Sequence, residues 1–135
     1  MDVPNNETIH LPRYSVDRKC IEITEGVSSV PEYHFRDYDK LISIKFPLSI
    51  RRIGNYAFKG CSSLTMIFVP EGLSTIGVGC FCQCTYMSIV HKPKSGNDIK
   101  KEAFERCIKL VTVHLSNELK SYNHLLFNRF FIHIS

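Results

Sequence analysis

The chain has 135 residues, 44% of them hydrophobic, which suits one domain with a continuous core. Seventeen Lys and Arg against thirteen Asp and Glu leave a net charge of +4, with no run of like charge long enough for a nucleic-acid or membrane arm. No stretch approaches the ~18 apolar residues of a membrane span, and MDVPNNETIHLPRYSV lacks the charged start and apolar run of a secretory signal. The expectation is a cytoplasmic chain, in which the Asn6-Glu7-Thr8 glycan-acceptor pattern is a chance match.

Residues 1–19 are expected to form a cap or a flexible segment. From Cys20 onward the chain repeats. Phe35, Phe58, Phe81, Phe104 and Phe127 fall 23 residues apart, as do Leu41, Leu64, Met87 and Leu110. Two further apolar columns keep the same spacing: Ile21, Ile44, Ile67, Val90 and Val113, then Val30, Ile53, Ile76, Ile99 and Tyr122. A unit that recurs in this way is one that cannot bury its apolar face alone and stacks on a copy of itself.

The first unit departs from the pattern, with Pro31 in place of a glycine, His34-Phe35 in place of Ala-Phe and Tyr38 in place of Cys. In the second, the alternation in Ile44-Lys45-Phe46 predicts a strand ended by Pro47, which has no amide to give a ladder. Ile50 and Ile53 predict a second short extended piece, and Gly54 relaxes the backbone before a helical turn carrying Ala57, Phe58 and Cys61. The third unit, STIGVGCFCQCTYMSIVHKP, repeats that skeleton. The fourth has Lys92 at an apolar strand position and Lys100 in place of glycine. Such terminal units are either caps, which a solenoid needs because an ideal end unit would expose its stacking face, or decayed repeats.

The stretch LISIKFPLSIRRIGNYAFKGCSSL resembles the 23-residue unit of the BspA-like leucine-rich repeat family, in its Leu-x-x-Ile-x-apolar-Pro, Ile-Gly and Ala-Phe-x-x-Cys landmarks. The resemblance covers roughly Cys20 to Leu115, with a weaker echo to Phe127. It implies an α/β fold: a right-handed leucine-rich repeat solenoid with parallel short strands and short helical turns, about five units over 20–135, the last degenerate. It also implies a role in binding proteins or surfaces rather than in catalysis. Many members of the family are much longer, which leaves both a fragment and a minimal version open.

If Ile44 and Phe46 point inward, Ser43 and Lys45 point outward, and each has counterparts beside it on the neighbouring strands. The expected partner-binding face is therefore Ser43, Met66, Ile89 and Thr112 in one row and Lys45, Phe68, His91 and His114 in the next, with Glu22 and Lys45 at its rim. Met66, Phe68 and Ile89 make an apolar patch of the kind that marks a contact surface for a protein partner, unless the tail HLLFNRFFIHIS folds over it.

The cysteines at 61, 84 and 107 share one column, and Cys80 replaces the small Ala57 and Ala103, so these four are expected to be buried structural residues. The alternative is a small metal- or redox-responsive protein built on the Cys80 to Cys84 cluster and the His91/His114 pair, although the second cysteine cluster of a structural zinc site is missing. No metal, no cofactor and no enzymatic activity are expected, because the chain holds no His-x-x-x-His pair, phosphate-cradling glycine loop or Gly-x-Ser-x-Gly elbow. Arg51-Arg52 and Lys100-Lys101 read as solvated turns rather than a phosphate stripe, so neither nucleic acid nor membrane is expected as a partner. Self-association through exposed end units is compatible with the pattern.

Overall fold

The computed structural model describes residues 19–91 and 98–110, and the strand backbone of 13–14, 112–114 and 133–134. Eleven short strands follow one another among these residues. They are β1 (Arg13–Tyr14), β2 (Cys20–Glu22), β3 (Ser29–Val30), β4 (Ser43–Lys45), β5 (Arg52–Ile53), β6 (Met66–Phe68), β7 (Thr75–Ile76), β8 (Ile89–His91), β9 (Asp98–Ile99), β10 (Thr112–His114) and β11 (His133–Ile134). Strands of successive coils pair in parallel, so the chain winds as a β-solenoid in which each coil contributes one strand to each of two sides.

On the first side β2, β4, β6, β8 and β10 are three residues long, and the central residue of β2, β4, β6 and β8 is buried. Ile21 pairs with Ile44 and Ile67 with Val90, which makes the predicted column a row of inward side chains one strand spacing apart. This side has two ladders, β1-β2-β4 and β6-β8-β10-β11, and the hydrogen bonding is interrupted between β4 and β6. β1 closes the first edge by pairing antiparallel with β2. The second side is one ladder, β3-β5-β7-β9, with Val30, Ile53 and Ile76 buried. At the corner that follows, the Gly54 amide donates back to the Val30 carbonyl and the Gly77 amide to that of Ile53. Lys100 keeps the equivalent bond to Ile76 despite replacing the glycine.

The short helical turn expected in each unit is absent: no helix occurs among the described residues. The third side is a run of tight turns, because left-handed residues recur every fourth position. Tyr33, Tyr56, Gly79 and Glu102 form one positive-φ column, and Asp37, Gly60, Gln83 and Arg106 another. A left-handed residue stops helix propagation at once. Alternate amides instead leave the coil. Tyr56, Phe58 and Gly60 donate to Val78, Cys80 and Cys82 of the next coil at 2.9 Å, while Ala57, Lys59 and Cys61 close turns onto the residue three before them. The turn side is thus hydrogen-bonded between coils as thoroughly as the strands are.

Phenylalanine rings fill the interior behind these turns. Phe35, Phe58, Phe81 and Phe104 stack almost parallel at centroid separations of 5.1, 5.3 and 5.6 Å, and Phe46 meets Phe58 edge-on. Beside them runs the cysteine column. The Cys61 thiol donates to the Phe35 carbonyl, Cys84 to Phe58 and Cys107 to Phe81, at 3.1–3.2 Å. Each thiol therefore ties its coil to the preceding one and satisfies a buried acceptor. Phe127, Tyr122 and Lys92 lie outside the described residues.

Candidate functional site

Strand alternation puts one set of side chains outside the first side, and the register decides which of them meet. Met66 lies opposite Ile89 and Ile89 opposite Thr112, while Phe68 lies opposite His91 and His91 opposite His114. Ser43 and Lys45 are brought beside Cys20 and Glu22 instead. Because the ladder breaks between β4 and β6, the expected rows fall into two halves of different character.

The N-terminal half is polar. Lys45 reaches Glu22 at 3.6 Å with both side chains at least half exposed, a pair that contributes little to stability in water. The C-terminal half is apolar. Phe68 is 60% exposed and Met66 37%, while Ile89 and His91 are half-buried. The Phe68 ring stacks flat on the His91 imidazole, centroids 4.5 Å apart and planes within 4°. One face of each ring is thereby used internally, which holds Phe68 in a fixed orientation at the surface. Thr112 and His114 belong to this half by backbone register.

The end of the C-terminal tail adds a strand. Thr112 pairs with His133 and Val113 with Ile134, so β11 extends the edge of the sheet in its own plane. The rest of that tail lies outside the described residues.

The interior thiols occupy a different environment. Cys80, Cys82 and Cys84 are buried together with Cys61 and Cys107, so burial reaches Cys82 as well as the four expected positions. Burial pushes Cys61 and Cys107 up from the ordinary 9.0 to about 12, and holds Cys80 and Cys84 well above their usual range. A metal ligand or redox nucleophile needs the thiolate, which this surrounding disfavours. His91 stands on the outward side of β8, beyond the buried Val90, so it does not join the Cys84 thiol in one site. Among the described residues, no group of three His, Cys, Asp or Glu is placed to hold a metal ion. No helix among them is long and apolar enough to cross a membrane.

A family model described as BspA type leucine-rich repeat region matches residues 14–131 in six copies. Among solved structures, a leucine-rich repeat protein from Bacteroides ovatus is 31% identical with a TM-score of 0.77, over 90% of this chain and 31% of that one. A T. pallidum leucine-rich repeat protein is 24% identical with a TM-score of 0.61, over 85% of this chain and 72% of that one. A leucine-rich cell surface protein from Faecalibacterium prausnitzii is 23% identical with a TM-score of 0.62, over 84% of this chain and 35% of that one. The last two likenesses are of fold. The chain spans about a third of the Bacteroides ovatus protein's length. No curated protein matches it.

Proposed function

Because the chain belongs to the BspA-type leucine-rich repeat family, we propose that it is a non-enzymatic interaction module that binds a protein partner through the outward face of its first side. The observation that carries this reading is Phe68, a large apolar ring 60% exposed and pinned by His91 rather than folded inward. Exposed aromatic residues held in one orientation lose little entropy on binding and serve as anchors of interface centres. Met66 and Ile89 widen the apolar area around it, and Thr112 and His114 hold the next positions by backbone register. Ser43 and Lys45, with Glu22, supply the polar rim, where charges act mainly on the association rate.

The test is affinity capture by the intact chain and by its Phe68→Glu variant. The expected result is a defined set of retained proteins that Phe68→Glu releases, while its circular dichroism and melting temperature stay unchanged. Retention of the same proteins by a folded Phe68→Glu variant would show that the face is unused.

A further inference from the structure

The corner where the turn side runs back into the first sheet carries a groove that no apolar column predicts. Lys19, Lys40, Ile42, Ser63, Thr65 and Tyr86 line an open depression of about 310 Å³. It crosses the coils because Lys40, Ser63 and Tyr86 occupy one repeat position and Lys19, Ile42 and Thr65 another. Ile42 and Tyr86 are 40% and 54% exposed, so the floor is apolar surface left facing water. Lys40 and Lys19 line it directly, and the Lys109 Nζ lies 4.1 Å from the centroid of the Tyr86 ring. Among the described residues no carboxylate lines it: Asp39 precedes Lys40 in the chain but stays off the lining, Asp37 pairs with Arg36, and Glu22 pairs with Lys45.

Lys40 and Lys109 beside an apolar floor are complementary to a ligand that brings one apolar group and several negative charges. We propose that this groove takes an extended acidic peptide segment, seating one apolar side chain between Ile42 and Tyr86 and placing its carboxylates near Lys40 and Lys109. The volume suits a large side chain with its flanking backbone. A concave floor cannot enter a bilayer as a protruding apolar ridge does. A nucleobase would need a face of Tyr86, and the Lys109 ammonium stands over one of them. This inference rests on the reading that the chain binds protein, but it uses none of the residues of the Phe68 face.

Isotope-labelled intact chain would be titrated with a blocked Glu-Asp-Leu-Asp-Glu peptide, with its Lys-for-acid counterpart and with its Ser-for-Leu counterpart, while amide shifts are followed. The expected result is saturable shifts centred on Ile42, Thr65 and Tyr86 with the first peptide only, weakening as salt rises. Tyr86→Ser and the double variant Lys40→Glu/Lys109→Glu should each reduce affinity by about tenfold or more. Phe68→Glu should leave peptide binding unchanged, which separates failure of the groove from failure of the sheet face. Equal binding of the Lys or Ser peptides, shifts confined to the surroundings of Phe68, or binding to phosphatidylserine vesicles without binding of the acidic peptide would overturn the proposal.

Discussion

Phe58 and Phe68 belong to successive repeats and meet opposite surroundings, one fully buried between two rings and the other at the surface. Replacing Phe58 or Phe81 with Ala removes a ring whose neighbours are held by their own coils, so the cavity cannot close; the expected loss is about 3–5 kcal/mol in urea unfolding. Phe68→Ala removes a half-solvated ring and should cost about 1 kcal/mol or less. The thiols give a second expectation at this scale. Cys61 and Cys107 titrate at about 12 in the folded chain, so above the ordinary thiol value the unfolded state releases protons that the folded state retains. Their contribution is fully present below about pH 9 and is lost as pH rises towards about 12, by up to ~1.4 kcal/mol per pH unit for each thiol. Urea midpoints measured from pH 8 upward should fall along that window, and Cys61→Val or Cys107→Val should flatten the fall.

At the scale of the element, the glycine corner sets how closely coils approach. A Cβ on Gly77 would lie 2.6 Å from the Asn55 backbone nitrogen and 2.7 Å from the Gly54 carbonyl carbon, neither of which can move without shifting a coil. Gly77→Ala should therefore destabilise by about 1–3 kcal/mol. Gly26→Ala meets nothing within 4 Å and feels only its φ of +98°, so it is the natural comparison in thermal melts. The inward columns and the outward rows were legible in the sequence because identity and spacing survive together in Leu41 to Pro93. The turn ladder was not, since most of its left-handed positions are held by Tyr, Asp, Gln, Glu and Arg rather than by the glycine that would announce them. Nor was the break beside β4, where Ile44-x-Phe46 and Ile67-x-Val69 give the same alternation on either side. The groove escaped because Ile42 and Tyr86 fall outside every apolar column; an apolar residue at a position where other units are polar was the available signal.

For the whole molecule, each coil is held chiefly by its immediate neighbours, so stability is a sum over interfaces and its middle is supported on both sides. Amide exchange should be slowest at Tyr56, Phe58 and Gly60, whose bonds lie between two complete coils, and faster at Gly54, which bonds back to the first coil, with uniform protection counting against this picture. The direction of the turn ladder has a further effect. Its inter-coil bonds all point one way: N–H groups of Tyr33, Tyr56 and Gly79 face later coils, and the carbonyls of Asn55, Val78 and Lys101 face earlier ones. Every second peptide on this side is consequently aligned with the solenoid axis, as all peptides are in a helix, and their dipoles add from coil to coil. The side is electrically polarised along its length, negative towards the first coil and positive towards the last. Each added repeat would deepen that polarity, so a terminating segment at the C-terminal end is best served by acceptors or anions, and one at the N-terminal end by donors or cations.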